Sequence, residues 1–422
     1  MTKLRIIITI TLLFLLSTKI VFATSLIRDT ETESYLREIA TPIFKAANLD
    51  PNKIKIHIVN NSNINAFVTA NMNMFINTGT ITLDNTASGL IGVISHETGH
   101  IAAGHISKLN QEIDQMKINL ALSYILGIAT AISGNVDAGQ AIILGGSHAS
   151  QRSLYSYSRL HESAADNLAI KYLDKTKQSS EGLLNFFKKI NSNEMLILNN
   201  DNPYTRTHPL TKDRISHINN HLKKSKYRNN LPPSKLNEKH LLIKTKLNAF
   251  LKDPEKILKK HNSNSFLDQY GAAIALHRLG KSNQAILILN NLIKTKKENI
   301  FIKELKAQML YENGQNSQAI KLLIPINKEI KDSALIKIEL ALAYLNSKNK
   351  TSAQKAINLL NQALNIEKDN IFAWKQLAIA YGRNKQIDQA NLAIAETSLR
   401  KEQYRRALKF ANKVNNSNAS AA

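Results

Sequence analysis

The chain has 422 residues, room for two or three domains, and its 43% hydrophobic content is that of a globular protein rather than a disordered one. It contains no cysteine, which excludes disulfide frameworks, thiolate metal sites, iron–sulfur clusters and thiol catalysis. The formal net charge of +24 comes from 56 Lys and Arg against 32 Asp and Glu. These charges are spread along the whole chain with no nucleic-acid motif, so no nucleic-acid partner is expected, and attraction to a membrane surface is a secondary reading.

Residues 1–23 carry Lys3 and Arg5 ahead of the apolar run Ile6–Leu16, then Val21 and Ala23 at small-residue positions. This is the pattern of a signal peptide cut after Ala23, which implies export to the periplasm; a retained membrane anchor is the competing reading. It is the one stretch that approaches membrane-span length, so a polytopic membrane protein is excluded.

A helical pattern over Ser34–Leu49 is followed by strand alternation at Ile54, Ile56 and Ile58, then by two short strand candidates, Ala66–Thr69 and Met74–Ile76. A helix is predicted over Asn85–His105. Its segment Ile94-Ser-His-Glu-Thr-Gly-His100 sets His96 and His100 one turn apart on one face, able to converge on a single ion. Zinc in a catalytic site takes a few nitrogen or oxygen ligands and keeps a position for water, and Glu97 stands beside the first histidine, where it can take that water's proton. Gly99 and Gly104 each weaken a helix by about 1 kcal/mol relative to Ala, which predicts the close approach of another backbone or a substrate. Five helical residues turn about 500°, so a continuing helix would leave His105 roughly 140° from the metal face; it is read as a solvent-facing or supporting histidine and not a ligand.

The apolar stretches Ile118–Ile132 and Ala141–Leu144 suggest a buried hairpin or a lid over the site. Glu162-Ser-Ala-Ala-Asp166 then opens a second apolar helix. Glu162 is the candidate third ligand, and Asp166, one turn on, can accept the second ring N–H of a ligand histidine; the two alanines between them suit tight packing against the first helix.

Beyond His221 the chain turns polar and basic, and Pro232-Pro233 marks a linker. Ala285, Ala319, Ala356 and Ala390 then recur at intervals of 34, 37 and 34 residues, with Gly280 and Gly314 five residues ahead of the first two. Trp374, Leu377, Ala378 and Tyr381 precede Ala390 at tetratricopeptide offsets, the three extra residues of the third unit fall near Lys350, and Ala407 marks a closing half-unit. The fold class expected is mainly α with a small β-sheet: a zincin-like metallopeptidase domain (24–225, with the lid or hairpin at 118–148), a linker and helix (226–262), a tetratricopeptide α-solenoid (263–413) and a flexible tail (414–422).

Taken together, the chain resembles the gluzincin metallopeptidases that include HtpX and the CAAX-prenyl proteases, and within them the periplasmic BepA type with its tetratricopeptide domain. The residues that carry the likeness are Asn65-Ala-Phe67, Asn77-Thr-Gly79, His96-Glu-Thr-Gly-His100, Ser156-Tyr-Ser-Arg159, Glu162-Ser-Ala-Ala-Asp166, Thr207-His-Pro-Leu-Thr211 and Asp213-Arg-Ile215. Ser95 and Thr98 depart from the family, which more often has Ala and an aliphatic residue there. The resemblance implies that His208 sits near the zinc, where it stabilises the oxyanion or occludes the metal, and that Arg214 is its partner, orienting a carboxylate; an ordinary surface cation is the alternative for Arg214. Tyr155 and Tyr157 are hydroxyl donors or packing residues.

The expected activity is that of an endopeptidase with one Zn2+ per chain, its substrate pairing with an exposed strand edge near Met72–Ile76. The resemblance further implies chaperone activity in the assembly and quality control of outer-membrane proteins, with unfolded or stalled β-barrel proteins and their assembly machinery as partners of the solenoid. The alternative is a tetratricopeptide scaffold with a largely silent peptidase site.

Overall fold

The computed structural model describes residues 26–414, apart from scattered positions between 106 and 135, the stretches 193–202 and 348–350, and residues 262 and 297. The signal peptide and residues 415–422 of the tail therefore lie outside the described residues, as do 118–121, 124–125 and 127–135 of the apolar lid or hairpin, whose residues 136–148 open a long helix.

The peptidase half begins with β1 (Leu26–Ile27) and α1 (Thr30–Ala46), whose first turn is capped by Asp29 accepting from the Thr32 N–H at 2.8 Å. β2 (Lys55–Val59), β3 (Ala66–Thr69) and β4 (Asn73–Asn77) complete a sheet in the order β1-β2-β4-β3, with β2 and β4 parallel and both outer pairs antiparallel. Met74 and Ile76 alternate into the core, while Phe75 stacks on Phe67 with ring centroids 5.0 Å apart. The expected edge at Met72–Ile76 is corrected here: β4 is paired on both sides, and among the described residues the outermost strand near the cluster described below is β3. Alternation identifies strands but not their neighbours, and the long-range β2–β4 pairing decides which one ends at the border.

The short α2 (Thr78–Ile81) leads to α3 (Ala87–Ala102). The long α4 (Val136–Lys175) and α5 (Glu181–Ile190) pack against α3, the short α6 (Pro203–Thr207) follows, and α7 (Lys212–Lys224) packs on α4 and α5. A Cβ built on Gly99 would stand 2.8 Å from the Ala165 carbonyl oxygen, so the backbones of α3 and α4 are in direct contact. Gly104 has a different role: its φ of 64° ends the helix, and among the described residues nothing lies within 4 Å of where its Cβ would be.

The segment expected as a linker and helix carries two helices. α8 (Ser234–Leu251) buries Ile243 and Leu247 in the peptidase core and Ala249 in the next one, where Ile257 of α9 (Pro254–Lys260) joins it. Four antiparallel helix pairs follow: α10–α11 (Phe266–Arg278, Ser282–Thr295), α12–α13 (Ile300–Glu312, Asn316–Glu329), α14–α15 (Ala334–Leu345, Ser352–Ile366) and α16–α17 (Ile371–Arg383, Ile387–Arg400), closed by α18 (Tyr404–Ala411). Ala285, Ala319, Ala356 and Ala390 are buried where the helices cross. The first helix of every pair is capped by Ser265, Asn299, Ser333 or Asn370. Three residues separate the helices of the other pairs, but six separate α14 from α15, so the turn absorbs the third unit's insertion. The left-handed turn residue five positions ahead of the buried alanine is Gly280, Gly314 or Lys385, and Glu402 takes the same conformation ahead of Ala407.

The two halves meet along the first turn of α1. Lys246 on α8, 4% exposed, reaches Asp29 at 2.6 Å and Glu31 at 3.1 Å, with Glu304 of α12 at 3.9 Å. Arg28 pairs with Glu367 at 2.6 Å, and the hydroxyls of Thr30 and Ser333 are 3.1 Å apart. Among the described residues no helix is long and apolar enough to cross a membrane.

A buried cluster of histidines and carboxylates

α3 supplies His96, Glu97 and His100, and the crossing at Gly99 brings Glu162 and Asp166 of α4 over them. His208 follows α6, and Arg214 lies in the first turn of α7, which Thr211 caps by accepting from the Arg214 N–H at 3.3 Å. All seven side chains are buried. Thus the candidates separated by more than a hundred positions come together; the side chains of Tyr155 and Tyr157 lie outside the described residues.

The ring atoms His96 Nε2 and His100 Nε2 are 3.1 Å apart. Glu162 approaches them at 3.3 Å with Oε2 and Oε1 respectively, and its Oε1 is 3.0 Å from His208 Nδ1. Donor atoms of His96, His100, Glu162 and His208 all lie within 4.8 Å of one another. Imidazole lone pairs and carboxylate oxygens repel at such distances unless a cation or proton stands between them. Tetrahedral ligands about 2.0–2.1 Å from zinc stand roughly 3.3 Å apart, so three nitrogens and a carboxylate at this spacing fit a metal ion of that kind.

The outward atoms of two rings face acceptors, the Asp166 approach to His96 being an ion-pair contact without hydrogen-bond geometry. Asp166 Oδ1 lies 2.9 Å from His96 Nδ1, and His208 Nε2 donates to the Ala66 carbonyl of β3 at 3.2 Å. Arg214 clasps Asp166 through Nε and Nη2 at 2.7 and 2.9 Å, reaches Glu162 Oε2 with Nη1 at 2.9 Å and donates from Nη1 to the Pro209 carbonyl at 2.9 Å. It is therefore no surface cation. His105 is also buried: once Gly104 ends the helix, the chain turns back and sets His105 Nδ1 3.0 Å from His100 Nδ1. The solvent-facing alternative fails because the wheel assumed a helix that had already stopped.

Burial opposes a charge on His96, but bonds to Asp166 and Glu162 outweigh it and push the ring up to about 9; burial brings His100 down to about 3. Although burial opposes ionisation of Glu162 too, the surrounding histidines hold its carboxyl well below the usual range. Glu97 is the contrary case. Burial pushes its carboxyl up, and among the described residues neither oxygen has a hydrogen-bond partner, with His208 Nε2 3.4 Å from Oε1. A buried carboxylate without a donor is costly to keep ionised and poised to accept a proton.

Supporting rings escaped the sequence reading. Tyr204 packs on His208 with centroids 4.8 Å apart, Phe187 meets His96 edge-on at 6.1 Å and lies under the Arg214 guanidinium at 4.7 Å, and His161 stacks on His105 at 4.0 Å. These residues carry no motif; adjacency to Glu162 was the one available hint for His161.

Residues 29–222 match the model of peptidase family M48. Over 383 residues the chain is 24% identical to the "Beta-barrel assembly-enhancing protease" of Yersinia pestis, covering 88% of this chain and 76% of that one. The protein of the same name from Escherichia coli K12 is 21% identical over 390 residues, with the same coverage. Among solved structures, MamA from Desulfovibrio magneticus RS-1 is similar at a TM-score of 0.34 and 18% identity, over 38% of this chain and 92% of that one.

Proposed function

For a chain whose first half is an M48 metallopeptidase domain, we propose a periplasmic zinc endopeptidase that acts on unfolded or stalled outer-membrane β-barrel proteins, which the solenoid recruits. The observation that carries this reading is the convergence of four buried donors beside the unpartnered Glu97 carboxylate.

His96, His100 and Glu162 are the proposed ligands of one zinc ion, which when bound would supply Lewis acidity toward water and the scissile carbonyl. Glu97 takes a proton from the attacking water as the new C–O bond forms, then delivers it to the amine nitrogen as the C–N bond breaks. Asp166 accepts the Nδ1 proton of His96 and keeps its Nε2 lone pair turned inward, while Arg214 holds Asp166 and Glu162. An extended substrate is proposed to pair with the outer side of β3, the last strand of the sheet among the described residues.

His208 supports a second reading of the resting state. Its Nδ1 stands within the donor set, at the corner a water would need, which favours a protein that serves at rest as a chaperone or scaffold and cleaves only when that ring moves aside to stabilise the oxyanion. The test is Glu97→Gln in the full chain. Zinc retained with cleavage of an unfolded β-barrel protein abolished supports the mechanism, and undiminished cleavage would overturn it. Full rescue of envelope integrity by the same variant in cells favours the scaffold reading.

A further inference from the structure

We infer that His105 is the positioning residue for His100: it accepts the Nδ1 proton of that ring and thereby presents the His100 Nε2 lone pair to the metal. The inference rests on the metal-centre reading above. A neutral imidazole has one N–H and one lone pair, so of two Nδ1 atoms 3.0 Å apart one donates and the other accepts. Were His105 the donor, the His100 proton would sit on Nε2, aimed at His96 Nε2 3.1 Å away and at Glu162, and the ring could not ligate. With His105 as acceptor, all three inner rings hold their protons on outward nitrogens and turn lone pairs toward Glu162.

The orientation of His105 is itself built. Its ring is buried, meets His100 at 75° and lies nearly parallel to His161, at an interplanar angle of 8° and 4.0 Å between centroids. His161 precedes Glu162 on α4, so one stack ties the support of His100 to the helix that carries the proposed third ligand. The two helix ligands are thus backed differently, His96 by a carboxylate and His100 by a neutral ring.

The test uses the purified full chain, with Zn2+ as the probe in competition with a chromophoric chelator. His105→Asn puts an amide oxygen where Nδ1 stands and is expected to keep wild-type affinity, whereas His105→Leu fills the space without an acceptor and is expected to weaken binding about 10–100-fold. A purely space-filling role would give the reverse order. Wild-type affinity in His105→Leu, or loss in His105→Asn equal to that in His105→Leu, overturns the inference. If His105→Leu does not fold, His105→Asn decides alone: wild-type affinity upholds it and a tenfold loss overturns it. Glu162→Ala is measured in parallel. Unchanged affinity there means that the metal-centre reading has failed, while weakened binding there with His105→Leu intact means that only the present inference has.

Discussion

Arg214 and Asp166 form a two-pronged buried ion pair, Nε to Oδ2 at 2.7 Å and Nη2 to Oδ1 at 2.9 Å, and that same Oδ1 stands 2.9 Å from His96 Nδ1. Asp166 therefore orients His96 only as firmly as Arg214 orients Asp166. Lysine keeps the charge but not the fork, so Arg214→Lys is expected to fold and to bind metal about tenfold more weakly, as a zinc titration would measure. Arg214→Met leaves two carboxylates buried without their cation and should lose about 3–5 kcal/mol of stability in denaturant unfolding.

The contact between Gly99 and Ala165 sets the distance between the histidines on α3 and the carboxylates on α4. A methyl group at Gly99 would lie 2.8 Å from the Ala165 carbonyl and 3.1 Å from its Cα. Gly99→Ala should gain helix propensity yet lose about 1–3 kcal/mol overall, because backbone cannot move aside as a flexible side chain does. Metal affinity should fall along with stability; a variant as stable as the wild type with unchanged affinity would show that the crossing is slack.

The outer side of β3 yields a selective variant. Ala66 turns its carbonyl toward His208, away from β4, and Val68, two residues on, turns its backbone the same way. Val68→Pro removes an N–H from the open side alone, a position where proline is tolerated. Metal content should be unchanged and kcat/KM toward an unfolded protein reduced about tenfold or more, an effect absent if substrate does not pair there.

Between the halves, Lys246 faces more acids than it can neutralise. Burial pushes the carboxyls of Glu304 and Glu339 up, and the Glu304 charge raises Glu339 further, whereas Asp29 beside Lys246 is held low against its own burial. A carboxyl raised in the folded state binds its proton more tightly there than when unfolded. Its contribution is therefore full below the ordinary value of about 4.3 and is lost as pH rises from there through the folded-state value. Asp29 contributes with the opposite sign: its stabilisation is present above the ordinary carboxylate value of about 3.9 and is lost as pH falls below it. Thermal unfolding across pH 4–8 should show Glu304→Gln gaining on the wild type as pH rises. Parallel curves would refute a raised carboxyl at Glu304.

Much of this protein is legible in local spacing. Four residues make one helical turn, so His96 with His100, and Glu162 with Asp166, fall on common faces whatever the rest of the chain does. A period near 34 shows that each helix pair buries the same alanine against its neighbour, and the one irregular interval is taken up in a turn. What spacing does not encode is which segments become neighbours. That β3 rather than β4 borders the site follows from a parallel pairing between strands separated by the intervening β3, and His105 returns to His100 only because Gly104 stops the helix. That Lys246 meets Asp29, Glu31 and Glu304 depends on packing α8 between two cores. Local geometry follows from backbone sterics and can be read residue by residue; contacts between distant segments are decided by the burial of whole faces at once, which only the assembled structure reveals.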